Sequence, residues 1–110
     1  MFKHISIEQF TQLQAEKHVN IADTRDVQSF AAGHIKGAKH LDNNSVTQFV
    51  SDTDFKEAVV VCCYHGNSSQ GAAQYLFEQG FIEVYSLDGG FELFKVSQPN
   101  NISQSEWVFV

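Results

Sequence analysis

The clearest strand in this chain is the continuous apolar run from Ala58 to Cys63. A run rich in β-branched residues is typical of the buried middle of a parallel sheet, where both faces of the strand are covered. Shorter segments with strand character occur at 19–23, 38–41 and 83–87. The pattern therefore predicts four strands spread along the whole chain.

The segments between these strands have helical spacing of apolar residues or a capping residue at their start. The predicted helices cover residues 7–17, 24–32, 46–51, 69–79 and 91–96. Ser6 is the predicted N-cap of the first helix. Ser68 or Ser69 would cap the fourth, and Gly80 would follow its end. Strands and helices that alternate in this way predict an α/β fold, with a mainly parallel central sheet of about five strands and helices on both faces.

Length and composition predict one globular domain over residues 1–110. Hydrophobic residues make up 43% of the chain and include ten phenylalanines, which is enough for a core without disulfides or metals. No repeat, low-complexity tract or linker interrupts the sequence. The polar segment after Pro99 ends in Trp107–Val110, for which we predict an edge strand or packing on the surface.

The net charge of −6 argues against binding to nucleic acid or to an anionic membrane, since both favour a basic protein surface. No apolar run approaches the roughly 18 residues of a membrane span, and the N-terminus lacks the apolar segment of a secretory signal. The two cysteines are adjacent, with Cα atoms about 3.8 Å apart, which is too close for an unstrained disulfide. We therefore expect a cytoplasmic protein that binds neither nucleic acid nor membranes.

Cys63 lies where the main predicted strand ends and a short polar loop leads into a helix. Ligands of parallel sheets bind outside the carboxyl ends of the strands. A helix N-terminus lowers the pKa of a thiol from about 8.5 into the range of about 3.5 to 7.5, and it also attracts anions. The sequence therefore predicts a nucleophilic Cys63 in an anion cradle. Its remaining members are Tyr64, His65, Gly66, Asn67, Ser68 and Ser69.

Cys62 is expected to be a buried core residue, because strand alternation turns it to the face opposite Cys63. A metal site formed by Cys62, Cys63 and His65 is disfavoured. Zinc sites usually space their cysteines two to four residues apart and need a fourth ligand.

A phosphoryl-transfer enzyme with a cysteine nucleophile usually clamps the phosphate with an arginine, commonly the sixth residue after the cysteine. That position holds Ser69 here, and the only arginine of the chain is Arg25, which has Asp23 and Asp26 as near neighbours. A cysteine-based phosphatase or arsenate reductase is therefore a weaker alternative.

Three segments read together resemble the rhodanese domain, with a similarity that runs from about residue 5 to 96. The first is Asp23-Thr24-Arg25 followed by Phe30–Ala38, which resembles an Asp-x-Arg … Gly-His-Ile-x-Gly-Ala signature. The second is the loop Cys63–Ser69, and the third is Leu87–Phe91 with its glycine pair. Together these motifs are highly specific, whereas each alone would be modest.

The resemblance implies a thiosulfate sulfurtransferase with ping-pong kinetics. Cys63 would attack the outer sulfur of thiosulfate, release sulfite and hold the sulfur as a persulfide. A thiophilic acceptor, either cyanide or a dithiol such as thioredoxin, would then remove it. No metal or organic cofactor is implied. The alternative within the same family is a sulfur-relay module that a protein persulfide donor loads.

Other residues of these motifs have expected roles of their own. Asp23 and Arg25 are predicted to support neighbouring loops through a salt bridge, and His34 to hydrogen-bond a loop. His65 would either orient or protonate the leaving sulfite or face the solvent. Many rhodaneses carry basic residues in the active-site loop, and this loop has none apart from His65. We therefore expect weak affinity for thiosulfate.

Overall fold

Residues 1–105 are described by a computed structural model, in which five parallel strands form the central sheet. In chain order the strands are β1 (Lys3–Ile5), β2 (Val19–Asp23), β3 (His34–Ile35), β4 (Lys39–His40), β5 (Ala58–Cys62), β6 (Val84–Leu87) and β7 (Ile102–Ser103). The sheet has the order β1-β6-β5-β2-β4, with every neighbouring pair parallel. β3 and β7 form a separate antiparallel ribbon. The predicted α/β fold is confirmed.

Within residues 1–105, five helices connect the strands. They are α1 (Ile7–Glu16), α2 (Val27–Ala32), α3 (Val46–Asp52), α4 (Ser68–Gln79) and α5 (Gly90–Ser97), and a 3₁₀ turn follows at Pro99–Asn101. The predicted N-cap of α1 is confirmed, because Ser6 and Gln9 form a reciprocal capping box. Helix α2 begins three residues later than expected, since Asp26 caps it by accepting the Ser29 N–H.

Helices cover both faces of the sheet, as predicted. On one face, Phe10 of α1 and Phe94 of α5 pack against Val60 and other apolar strand residues. On the opposite face, Phe49 of α3 and Leu76 of α4 pack against strand residues that include Val61. The whole of β5 is buried, which is why its sequence is uniformly apolar.

The sequence prediction missed the edge strand β1 and the ribbon of β3 and β7. These strands have only two or three residues, too few to show an alternating pattern. The predicted edge strand at 107–110 lies outside the described residues. Within residues 1–105, no helix combines the length and the apolar character that crossing a bilayer requires.

Candidate active site

The loop after β5 is held in place by the start of α5. The Phe91 N–H donates to the Cys63 carbonyl at 2.7 Å, and the Glu92 N–H donates to the Tyr64 carbonyl at 3.1 Å. In a trans peptide the C=O and the following N–H point in opposite directions. With these two carbonyls directed at α5, the N–H groups of Tyr64 and His65 therefore point away from it.

The approach of α5 requires glycine at its first residue. Gly90 has a φ of +60°, and a Cβ built on it would lie 2.5 Å from the carbonyl oxygens of Cys63 and Tyr64. Gly66 in the loop has a φ of +93°, and a Cβ built on it would lie 3.1 Å from the Leu87 carbonyl oxygen and from the Gly89 nitrogen. Both glycines therefore have a left-handed backbone, and at Gly90 a side chain would also clash with the loop.

The Cys63 sulfur lies inside this loop with only 2% of the residue exposed. The Gly66 N–H donates to Cys63 Sγ at 3.1 Å, and Ser69 Oγ lies 3.2 Å from the same sulfur. Burial on its own raises the pKa of the thiol. Hydrogen bonds from the Ser69 and Ser68 hydroxyls and from the Ser69 and Gly66 amides outweigh burial and lower the pKa of Cys63 to about 7.

The start of α4 differs from the prediction. The N-cap residue is Asn67, whose side chain makes no capping hydrogen bond, and Ser68 and Ser69 already belong to the helix. Their hydroxyls act on the Cys63 sulfur instead of capping the helix. The first N–H groups of a helix have no intrahelical acceptor, so this end of α4 presents donors and its positive dipole end to the loop.

Ser86 of β6 also belongs to this cluster, although the sequence analysis did not single it out. Its Oγ lies 2.7 Å from Ser69 Oγ, and both serines are fully buried. The available signal was a serine between apolar residues in a predicted strand. A hydroxyl in such a position needs a buried partner.

Cys62 has the opposite environment from its neighbour. It lies in the hydrophobic core on the face of the sheet opposite α4, and its thiol is free. Burial, followed by the nearby Asp23 charge, raises the pKa of Cys62 well above its ordinary value. Its thiol therefore stays protonated at neutral pH.

Arg25 and Asp23 form a buried bidentate ion pair beside the loop. Arg25 Nε and Nη2 donate to the Asp23 carboxylate, with the shortest contact at 2.7 Å, and Nη2 also donates to the Gly33 carbonyl at 2.6 Å. The guanidinium carbon lies 3.9 Å from the centre of the Phe91 ring and 5.6 Å from that of Tyr64. The only arginine is thus joined to the framework of the site.

Tyr64 connects the loop to the start of α2. Its hydroxyl donates to Asp26 Oδ1 and lies 2.6 Å from Ser29 Oγ. Hydrogen bonds from Tyr64 and then from Ser29 lower the pKa of Asp26 to about 2. Asp26 is therefore ionised at neutral pH, and it both caps α2 and holds Tyr64.

The two histidines of the motifs lie in different places. His34 Nδ1 is 2.8 Å from the carbonyl of Phe30, which belongs to α2 and not to a loop as predicted. The His34 ring also stacks on Phe30 and so supports the end of α2. His65 is exposed on the loop. Within residues 1–105, no three His, Cys, Asp or Glu side chains are placed to hold a metal ion.

Residues 6–97 match the family described as the rhodanese-like domain. The thiosulfate sulfurtransferase GlpE of Pseudomonas putida (strain F1) is 52% identical to this chain over 103 residues, which is 94% of each protein. The thiosulfate sulfurtransferase GlpE of Pseudomonas aeruginosa (strain PAO1) is 51% identical over 105 residues, covering 96% of this chain and 94% of that protein.

Solved structures show the same fold. The solution structure of the rhodanese-like domain from the Anabaena Alr3790 protein has a TM-score of 0.82 at 22% identity, covering 94% of this chain and 80% of that one. The crystal structure of SSP1007 from Staphylococcus saprophyticus has a TM-score of 0.71 at 26% identity, covering 84% and 93%. The family match and the relatives extend over nearly the whole chain, and this chain belongs to the rhodanese family.

Proposed function

We propose that this protein is a thiosulfate sulfurtransferase that carries sulfur as a Cys63 persulfide. The observation that carries the proposal is the Cys63 sulfur, buried and surrounded by hydrogen-bond donors, with its pKa lowered to about 7. A thiolate is the reactive form of cysteine, so a large fraction of the protein is ready to react at neutral pH. The name of the relatives that are about 50% identical to this chain supports thiosulfate as the sulfur donor.

In the first half-reaction the Cys63 thiolate attacks the outer sulfur of thiosulfate. The sulfur–sulfur bond of thiosulfate breaks, and sulfite leaves with the bonding electron pair. The product is a Cys63 persulfide anion, so the total charge is unchanged and no proton has to move. The loop amides and the N-terminus of α4 face this anion and stabilise it, much as an oxyanion hole stabilises an oxygen anion.

In the second half-reaction a thiophilic acceptor attacks the terminal sulfur and restores the Cys63 thiolate. Cyanide would leave as thiocyanate. A dithiol such as thioredoxin would become a disulfide and release the sulfur as hydrogen sulfide. A groove of about 330 Å³ beside Tyr64, lined in part by Ser29 and Lys95, offers a larger acceptor a place to dock. A reducing cytoplasm would keep such dithiols and Cys63 in their reactive forms.

Mass spectrometry tests this function directly. We expect thiosulfate to add about 32 Da, the mass of one sulfur atom, to the protein, and cyanide to remove it as thiocyanate. Cys63→Ser should abolish both the adduct and the thiocyanate, while Cys62→Ala, at a buried position outside the loop, should keep both. Sulfur transfer that persists in Cys63→Ser would refute the proposal.

A sulfur-relay role is the second candidate, because the loop has no lysine or arginine to attract the thiosulfate dianion. In that case a protein persulfide donor would load Cys63. Loading rates measured with thiosulfate and with a cysteine desulfurase would separate the two roles. The phosphatase alternative gains no support, since the position of the phosphate clamp is occupied by Ser69, which is buried against the sulfur.

A further inference from the structure

Ser86 is a polar residue in the interior of the sheet, where β1 places His4 on one side of it and β5 places Val61 on the other. It lies in β6 beside Val61 of β5 and is fully buried. A buried hydroxyl without a partner destabilises the fold, so the residue needs a hydrogen bond at this position. Among residues 1–105, its hydrogen-bond partner is Ser69 Oγ at 2.7 Å.

Ser69 connects Ser86 to the reactive sulfur. Ser69, Ala73 and Leu76 are the buried residues of α4, at a spacing that places them on the helix face towards the sheet. Ser69 is at the sulfur end of this face, 3.2 Å from Cys63 Sγ. The side chains of Cys63, Ser69 and Ser86 therefore form a continuous hydrogen-bonded chain, which runs from the slightly exposed Cys63 to two fully buried serines.

The number of hydrogen atoms in this chain favours the ionised sulfur. Two contacts join the three side chains, and each contact uses one hydrogen. With a neutral thiol, the S–H and the two O–H groups supply three hydrogens, and one of them has no acceptor within the chain. With a thiolate there are two hydrogens for two contacts, because Ser86 donates to Ser69 and Ser69 donates to the sulfur. The buried chain is fully paired only in the thiolate form.

Neighbouring charges do not replace this arrangement, because those on the surrounding elements are paired. The ion pairs near the site are Asp23 with Arg25 and Glu92 with Lys95, and the Asp88 carboxylate lies 3.1 Å from His4 Nδ1. Tyr64 and His65 are the other titratable side chains of the loop. Both are exposed, and the Tyr64 hydroxyl donates to Asp26. The influences on Cys63 itself are burial and hydrogen bonds.

We propose that Ser86 is a positioning residue for sulfur transfer, because its hydroxyl donates to Ser69 and so directs the Ser69 hydroxyl at Cys63 as a thiolate. This role deepens the proposed function and rests on it. Ser86 does not touch the substrate and acts only through Ser69. Its removal should therefore change how readily Cys63 ionises, and leave the intrinsic reactivity of the thiolate unchanged.

The test is the rate of Cys63 alkylation by iodoacetamide between about pH 5 and pH 10, without thiosulfate. In Ser86→Ala the half-maximal rate should move to higher pH, with alkylation about three- to tenfold slower near pH 6 and an unchanged plateau at high pH. Ser69→Ala should shift the profile at least as far. The double variant should shift it no further than Ser69→Ala alone, because Ser86 acts through Ser69.

Two controls separate this role from general loosening of the site. Val61→Ala removes packing at the position paired with Ser86 but no hydroxyl, so it should lower stability and leave the pH profile in place. Ser86→Thr and Ser86→Val are close in volume and differ in the hydroxyl, so only the valine variant should shift the profile. The same two variants also test the role of the hydroxyl if Ser86→Ala does not fold.

An unchanged profile in the hydroxyl-free variants, or additive shifts in the double variant, would overturn the role of Ser86. Because the assay contains no thiosulfate, its result does not depend on the proposed donor. A wild-type protein without sulfur transfer would refute the proposed function, and the alkylation profiles would still decide the role of Ser86.

Discussion

At the scale of single residues, two adjacent cysteines have opposite chemistry because the backbone turns them to opposite sides of the sheet. Cys62 lies in the core, where burial raises the pKa of its thiol. Cys63 lies where β5 has ended, and there the loop and α4 lower the pKa of its thiol to about 7. The difference arises from one step of strand alternation together with the end of the strand.

Alkylation should therefore distinguish the two thiols. At pH 8 the folded protein should take up one iodoacetamide label, at Cys63, and the protein unfolded in urea should take up two. Below about pH 7 the rate at Cys63 should fall about tenfold per pH unit, since the pKa is lowered and the thiolate is lost as the pH decreases. Peptide mass spectrometry locates the label, and equally fast labelling of Cys62 in the folded protein would contradict this account.

At the scale of elements, the loop around Cys63 depends on α5, the helix that packs against it. The first amides of α5 bind the carbonyls of Cys63 and Tyr64, and Gly90 makes this approach possible. A side chain at Gly90 would need both a left-handed backbone and space that the loop occupies. The geometry of the cradle is therefore a property of two elements that are distant in sequence.

Gly90→Ala should destabilise the fold by about 1–3 kcal/mol from backbone strain, and by more if α5 cannot move. It should also slow the loading of Cys63, because the loop loses its support. Gly71→Ala is the matched control, since a Cβ at Gly71, the fourth residue of α4, meets no atom within 4 Å. That variant should be more stable by up to about 1 kcal/mol. Urea unfolding measures the free energy of unfolding of both variants. A Gly90→Ala variant that is no less stable than Gly71→Ala would contradict the requirement for glycine at this position.

Some of these elements could be predicted from the sequence, and the contacts between them could not. The sequence predicted β5 and α4 because each has a long, uniform pattern. It also placed Cys63 between the end of β5 and the start of α4, because chain order alone joins a strand end to a helix start. The contact between α5 and the loop, and that between Ser69 and Ser86, are tertiary and leave no periodic signal. For the same reason the predicted N-cap of α4, Ser68 or Ser69, is wrong by one or two residues, whereas both hydroxyls engage the sulfur as expected of members of the cradle.

At the scale of the whole molecule, the pair of Asp23 and Arg25 joins several elements at one edge of the sheet. Asp23 ends β2, and Arg25 reaches the Gly33 carbonyl after α2 and stacks on Phe91 of α5. An Asp-x-Arg sequence by itself predicts an ion pair. The joining of α2 and α5 depends on the fold, because these elements meet only after the sheet has formed.

Asp23→Asn tests how far the stability of the fold depends on this ion pair. The change keeps the shape of the side chain but leaves the buried Arg25 charge without its partner, since the side chains are 0% and 3% exposed. The cost should be about 3–5 kcal/mol of unfolding free energy, which a domain of ordinary stability can survive in the folded state.

Glu83→Gln is the matched control for this change. It neutralises an ion pair with Lys17 at the surface, where the lysine side chain is 48% exposed, and surface pairs contribute at most about 1 kcal/mol. Urea unfolding at neutral pH measures both variants. A loss in Asp23→Asn no larger than that in Glu83→Gln would mean that packing alone holds α2 and α5 to the sheet. A several-fold larger loss would show that the only arginine of the chain stabilises the framework on which the sulfur site is built.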